Sequence, residues 1–381
     1  MMAPVIALTP ALQRFDWGSS QGIPDLLGFA PDGDPYAEAW WGAHPSAPST
    51  TANGPLDAVI AANPAAALGE DVARDYGRLP YLLKVLSIAR PLSIQVHPTL
   101  ERAQEGFAAE EDRGVALTHP GRTYKDASPK PEMLVAITEM VVLSGFRPEG
   151  ELMSDLERLG GDDAAGLCDT LASGENAAYV TAVLTSDHSD AIARLASGAA
   201  GDGASARIAC DALVHHVGDA GALVALAMNA VTLAPGEALF TPAGTVHCYI
   251  SGDGVEIMAN SDNVVRAGLT HKPVDPDLMR SLAVLTPSTP VVPRASVEGA
   301  FTRLSSDANE FELSVVRDGT ATATSGPRIV LAVEGTARLT TANHTADLGR
   351  GDAVFVAAGE GPVLIEASGV VFVAEVPAVR D

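Results

Sequence analysis

Cysteine is scarce in this chain: three in 381 residues, Cys168, Cys210 and Cys248, far apart and without a C-x-x-C pair. A disulfide framework is thereby excluded, and a reducing, cytoplasmic setting fits. No apolar run reaches the roughly 18 residues that a membrane-spanning helix needs. The opening MMAPVIALTPALQRF has no basic stretch ahead of its apolar residues, so it reads as mature sequence and not as a signal peptide. Positive charge is also short: 24 Lys and Arg face 48 Asp and Glu, a formal net charge of −24. That balance excludes nucleic acid and anionic membranes as general partners, and an anionic ligand needs a local cationic pocket. Only four of the basic residues are lysine: Lys84, Lys125, Lys130 and Lys272. Lysine is a compact charge whose proton affinity shifts readily, which marks these four positions for attention.

What is present is a globular composition, with 47% hydrophobic and 19% charged residues. The length implies two or three domains at about 150 residues each. Residues 1–148 read as mostly β with loops, with runs such as LPYLLKVLSI and PLSIQVH bounded by Pro and Gly. EMLVAITEMVVLSGFRP reads as a hairpin turning at Thr138-Glu139. Residues 149–230 change to helical periodicity, in AAYVTAVLTS, SDAIARLAS and SARIACDALVHHVGDAGALVALAMN. Ser189-Asp190 and Ser205 are the expected N-caps, and GGDDAAG and GAAGDGAS the expected loops. From Val231 strands return, and from about Pro290 onward the chain is almost purely strand-like.

An internal echo links the two β regions. Gly236–Gly244 and Gly351–Gly359 share the form G-[DE]-A-x-F-x-x-A-G. Each copy suits a short strand between tight turns, and together they imply two similar β-barrels. His247 follows the first copy by three residues, whereas Pro362 holds that place in the second. The C-terminal barrel is therefore expected to be structural, without a metal.

Gln95 and His97 share one face of a strand that Pro98 would end. His247 and Tyr249 likewise share a face, and Glu132 opens an apolar run after Lys130-Pro131. An amide oxygen, two imidazoles and a carboxylate suit a divalent metal with open positions, and Zn²⁺ is the natural choice because no redox role is implied. Spacing alone does not single out these four. The remaining histidines, among them His44, His215, His216 and His271, read as ordinary surface or core residues.

Longer blocks carry a resemblance. AEAWWGAHPSAPS, YLLKVLSIARPLSIQVHP, YKDASPKPEM, GFRP and GEALFTPAGTVHCYISGDGVEIMANSDNVVRAGLTHK, in that order from about residue 10 to 275, resemble the type I mannose-6-phosphate isomerases. The resemblance implies a mainly β fold with an α-helical insertion. Residues 1–148 and 231–290 would form a zinc-binding cupin barrel, 149–230 a helical insertion, and 291–381 a non-catalytic cupin-like β domain. It implies Gln95, His97, Glu132 and His247 as ligands of one zinc ion per chain. Lys84, Ser93, Lys130, Glu256, Asp262, Arg266 and Lys272 would lie in or around the substrate pocket. One departure stands out: Ser128-Pro129-Lys130-Pro131-Glu132 occupies the place of the family's Asn-His-Lys-Pro-Glu, so a histidine is missing at Pro129.

The implied reaction interconverts mannose 6-phosphate and fructose 6-phosphate through a cis-enediol(ate), possible only after ring opening. It needs a proton carrier and a stabilised oxyanion. Glu256 is the first candidate for the base, expected on a strand that turns back beside the His247 strand. It could instead be a structural acid paired with Arg266 or a lysine. Asp262 is the second candidate, or the acid that orients Arg266. Lys130 could assist ring opening, hold an oxyanion, or simply pair with Glu132. Arg266 suits phosphate or enediolate oxygens. Lys84, Lys272 and Ser93 are candidate phosphate contacts, and Tyr249 either lines the pocket or belongs to the core. A role in supplying activated mannose follows from the resemblance alone. The rival readings are a non-catalytic sugar-phosphate-binding cupin, an isomerase of another phosphorylated aldose, and an iron-dependent oxygenase. The last is disfavoured by Gln-x-His where such sites carry a histidine-rich motif.

Overall fold

Alternation of side chains along a few buried strands sets the architecture. The computed structural model describes residues 4–119, 121–324 and 326–377. It is mainly β, with two large antiparallel sheets and a helical stretch. The first sheet has ten strands, with the path Met228–Leu233, Met140–Phe146, His247–Ala259, Tyr81–Ile88, Glu38–Gly42 and Ala11–Gln13. Glu132–Ala136 and Ile94–Val96 also pair with the His247–Ala259 strand, and Val265–Gly268 extends from Ile94–Val96. The second sheet has eight strands. Seven come from the C-terminal part, and Val5–Leu8 joins them by pairing with Ala353–Val356.

All eight residues of Tyr81–Ile88 are buried, because the strand is covered on both faces. Tyr81, Leu83 and Val85 pack with Trp41 and Ile257 against Leu331, Phe355 and Phe372 of the second sheet and Phe311 just ahead of it. Leu86 and Ile88 turn the other way, into a cluster with Leu134, Met140, Val142 and Tyr249. Lys84 shares their parity. The helical stretch supplies a third layer: Ile94, Val96, Val246, Cys248 and Val265 pack against Leu152, Leu167, Tyr179, Leu213 and Leu226. On Ile94–Val96 and the start of His247–Ala259, one parity is spent on packing against the helices and the other is left for the space between the layers.

The helices expected between residues 149 and 230 are present as Glu149–Leu159, Asp162–Thr185, Ser189–Ala196, Ala204–His215 and Gly221–Leu226. Several local expectations are corrected. The first 148 residues are not only strands and loops: they hold Gly22–Leu27, Leu56–Ala62, Pro64–Leu68, Glu70–Tyr76 and Leu100–Asp112 as helices. Their cues are caps: the Asn63 side chain accepts from Ala66 N–H ahead of Pro64, and Thr99 accepts from Arg102 N–H. Glu132–Ala136 and Met140–Phe146 do not form a hairpin. Both pair with the 13-residue strand His247–Ala259, the first along its C-terminal half and the second along its N-terminal half. DDAAG is helix and not loop, because Gly160-Gly161 alone make the break. Ser205 lies inside its helix and spends its hydroxyl on the Met228 carbonyl, and Gly203 and His188 take the N-cap places. Both echo segments do form short strands, Ala238–Thr241 and Ala353–Val356, with Phe240 and Phe355 buried.

Candidate active site and metal centre

The site is assembled where five strands bring polar side chains into one space. Ile94 and Val96 are committed to the helical layer, so Gln95 between them faces the opposite way. Gln95 is in register with His247 on one side and Arg266 on the other. Val246 and Cys248 are likewise packed against helices, which leaves His247 and Tyr249 on the site face. Glu256 lies nine residues beyond His247, an odd spacing that would place it on the opposite face. A bulge between Tyr249 and Ser251 adds one residue and restores the parity. The expected turn at Ser251–Gly254 is absent, and the strand runs straight through it.

His97, Glu132 and His247 come together, with one ligand atom from each lying within 4.8 Å of the others. All three are buried. His97 Nε2 lies 3.2 Å from Glu132 Oε1, and His247 Nε2 lies 3.1 Å from Glu132 Oε2. Each imidazole gives its outer N–H to a backbone carbonyl: His97 Nδ1 to Asn263 at 2.7 Å and His247 Nδ1 to Thr245 at 3.0 Å. That fixes the tautomers and turns both Nε2 lone pairs toward the carboxylate. His247 Nε2 has no hydrogen-bond partner of its own among the described residues. A buried group of lone pairs facing one another calls for a cation, so the donor set fits a divalent metal. Burial, helped by the Lys130 charge, lowers the His97 pKa to about 4, which keeps the ring neutral and able to ligate. Burial opposes the charge on Glu132, but the Lys130 ammonium holds it well below the usual carboxylate range.

Lys130 Nζ sits 3.0 Å from Glu132 Oε1 and 3.3 Å from His97 Nε2. Lys84 Nζ lies 3.2 Å from Glu256, so this acid is paired with a lysine and not with Arg266. Burial and the neighbouring Glu132 charge raise the Glu256 pKa against the pull of Lys84. Tyr249 is buried and its hydroxyl reaches Glu132 at 3.4 Å, so it belongs to both the core and the site. Asp262 does not orient Arg266. Its half-exposed carboxylate faces His44 Nε2 at 3.4 Å, and His44 overcomes the effect of burial to lower its pKa.

A cleft of about 430 Å³ opens over these strands. Ser93, Gln95, Arg266 and Lys272 line it, together with Glu38, Arg90, His215, His216 and His271. Arg90, Arg266 and Lys272 have no ion-pair partner among the described residues. The Arg266 charge, with some burial, lowers the Lys272 pKa, as two neighbouring cations require. Lys125 stands apart, its ammonium on the Leu117 carbonyl. Sequence reading missed Glu38, His44, Arg90 and the three cleft histidines. Parity offers a signal for Glu38, which lies two residues from Trp40, the register partner of Lys84.

The description "Phosphomannose isomerase type I, catalytic domain" matches residues 5–149. Mannose-6-phosphate isomerase of Escherichia coli (strain K12) is 33% identical over 95% of this chain and 97% of its own length. The chain belongs to the type I mannose-6-phosphate isomerase family. Mannose-6-phosphate isomerase of Homo sapiens is 33% identical over 76% of this chain and 75% of its own. The crystal structure of mannose 6-phosphate isomerase from Salmonella typhimurium, bound to substrate (f6p) and zinc, superposes with a TM-score of 0.91 at 31% identity. That likeness covers 99% of this chain and all of the other. The match to type I mannose-6-phosphate isomerases thus extends through the helices and the second sheet.

Proposed function

We propose that Gln95, His97, Glu132 and His247 hold one zinc ion beside the cleft, which Gln95 also lines, and that the cationic wall of the cleft receives a hexose phosphate. The activity is aldose–ketose isomerisation between D-mannose 6-phosphate and D-fructose 6-phosphate. The observation that carries this reading is the pairing of inward-facing lone pairs on His97, Glu132 and His247 with unpaired Arg90, Arg266 and Lys272 in a chain of net charge −24.

When bound, zinc supplies Lewis-acid stabilisation for charge developing on the oxygens at C1 and C2. The side chains do the rest. Arg266 and Lys272 bind the anionic end, with Ser93 beside them on the cleft wall. Glu256 is the proposed base that takes the C2 hydrogen as a proton and returns one at C1. Its support is burial, a raised pKa and an adjacent Lys84 ammonium. Lys130, beside the metal-binding atoms, is placed to stabilise an oxyanion, and Asp262 with His44 is the candidate for the proton transfer of ring opening. With Pro129 in the place of the family histidine, that step does not depend on an imidazole at this position. The finer fold reading is a zinc-bearing cupin barrel from 1–148 and 231–290, a helical insertion at 149–230 and a cupin-like domain at 291–381. No helix among the described residues is long and apolar enough to cross a membrane. We infer a cytoplasmic enzyme that serves the supply of activated mannose.

The test is isomerisation by purified protein, before and after chelation and after zinc is restored. Activity lost on chelation and regained with Zn²⁺ is expected. Folded, zinc-loaded protein that binds mannose 6-phosphate without turning it over would establish the non-catalytic binder instead. Turnover of another phosphorylated aldose alone would reassign the substrate.

A further inference from the structure

Three neighbouring strands present a row of side chains across one face of the ten-stranded sheet. Trp40 is in register with Lys84, and Lys84 with Glu256. Glu38 stands two residues before Trp40, on the same face and lining the cleft. Lys84 Nζ is held between two carboxylates, 3.5 Å from Glu38 Oε2 and 3.2 Å from Glu256 Oε2. Trp40 completes the cradle twice over. Its indole N–H donates to Glu38 Oε2, and its ring lies under the ammonium, 5.0 Å from Nζ to centroid. Glu38, Lys84 and Glu256 are all buried, with 8%, 7% and 3% of their surfaces exposed.

We propose that Glu38 is a positioning residue that acts on the reaction through Lys84. The inference rests on the isomerase reading with Glu256 as base. A buried lysine facing a single carboxylate would close onto it as a tight one-to-one ion pair and occupy the lone pairs a base must use. A second carboxylate on the far side shares the ammonium, so that Lys84 shields Glu256 without capturing it. Burial opposes the Lys84 charge, but Glu38 first and then Glu256 raise its proton affinity, so the lysine remains a cation. Glu38 also fixes where that cation sits, because the Trp40 N–H anchors its carboxylate from the same strand. Lys84 is thus set from both sides at the distance the chemistry needs.

The test is Glu38→Gln, which keeps the shape and an acceptor for Trp40 but removes the charge, with Glu38→Asp as the conservative partner. Expected for Glu38→Gln is a fall in kcat of about tenfold or more, with KM within about twofold of wild type. Zinc content and melting temperature should not change, and Glu38→Asp should recover most of the rate. In a Lys84→Met background, Glu38→Gln should cost less than about twofold further, since the residue it acts through is gone. A rise in KM at constant kcat would overturn the proposal and make Glu38 a substrate ligand. A full additional loss in the Lys84→Met background, or a drop in melting temperature, would overturn it as well. Crystal structures of the wild type and Glu38→Gln give a readout independent of turnover: Lys84 Nζ should move toward Glu256 by about 1 Å, a misplacement large enough to matter for catalysis. An unmoved Lys84 would overturn the proposal. Absence of turnover by the wild type would strike the isomerase reading instead, and the crystal comparison would still decide how Lys84 is held.

Discussion

His97 and His247 are aimed by the same device, a backbone carbonyl that takes the outer N–H and leaves Nε2 free. What distinguishes the centre is the cation already beside it. Lys130 Nζ lies 3.0 Å from the carboxylate that the metal would share. It therefore competes electrostatically with zinc for Glu132. Lys130→Met should bind Zn²⁺ tighter by about tenfold, measured by competition with a chelator at neutral pH. The same variant should lose isomerisation by about tenfold or more if the ammonium serves the oxyanion. Unchanged zinc affinity would sink the competition argument. Arg266 carries a different burden. It is half-buried, has no acidic partner among the described residues, and burial lowers its pKa, all at a cost that an incoming anion offsets. Arg266→Met should raise KM for mannose 6-phosphate by about 10- to 100-fold, the range for losing a hydrogen bond to a charged group. The same substitution should leave zinc content intact. A KM within twofold of wild type would place the phosphate elsewhere in the cleft.

At the scale of the element, the strand His247–Ala259 does most of the organising. One bulge lets His247, Tyr249 and Glu256 address the same space, and Gly252 follows it with φ +104. A Cβ at Gly252 would collide with the Glu139 carbonyl and with Met140. Gly252→Ala should therefore destabilise the fold by roughly 1–3 kcal/mol. It should also lower kcat, because relief of the clash shifts Glu256 relative to His247. Urea titration and steady-state kinetics on one preparation check both, and a stable variant with a normal kcat would show that the bulge does not depend on glycine. The bulge also explains what was and was not legible in the sequence. Period-two parity placed Gln95 with His97, and His247 with Tyr249, because no residue is inserted between the members of either pair. It could not carry Glu256 past an inserted residue, and Ser251-Gly252-Asp253-Gly254 read as a turn from its composition. The same strand pairs with two others end to end, so a local reading of EMLVAITEMVVLSGFRP took for a hairpin what long-range register keeps apart. The helices of the first 148 residues were signalled by Asn63-Pro64 and Thr99, but short alanine-rich segments between strands lack a strong period. Arg90 and the cleft histidines became visible only once tertiary structure had brought distant segments together.

At the scale of the whole molecule, the second sheet braces the first through a polar seam. Tyr81, on the strand that carries Lys84, donates its hydroxyl to the carbonyls of Pro327 and Ala374 at 3.1 and 2.9 Å. Next to Ala374 is Glu375, 4% exposed, in register with Arg328 and with Arg303 3.9 Å away. Its Oε2 has no hydrogen-bond partner among the described residues. Burial raises its pKa from the ordinary 4.5 to about 7, only partly offset by the Arg303 and Arg328 charges. The folded chain thus binds this proton more tightly than the unfolded chain does. Between about pH 4.5 and 7 the native state holds more protons, so stability from this group is complete at the acid end and is lost as pH rises through the folded value. A displacement of that size corresponds to roughly 3 kcal/mol. Glu375→Gln imitates the protonated acid and removes the dependence. Urea titrations of both proteins from pH 4.5 to 8 should show little difference at the acid end. The variant should gain on the wild type as pH rises, by a few kcal/mol at pH 8. Taking the difference between the two proteins cancels every other titrating group, including the metal-site histidines. Parallel stability curves would mean that Arg303 and Arg328 neutralise the carboxylate fully, and that the seam is an ion network and not a buried acid. Curves that coincide at the acid end and separate as pH rises would tie the brace behind Lys84 to a single proton at the junction of the two sheets.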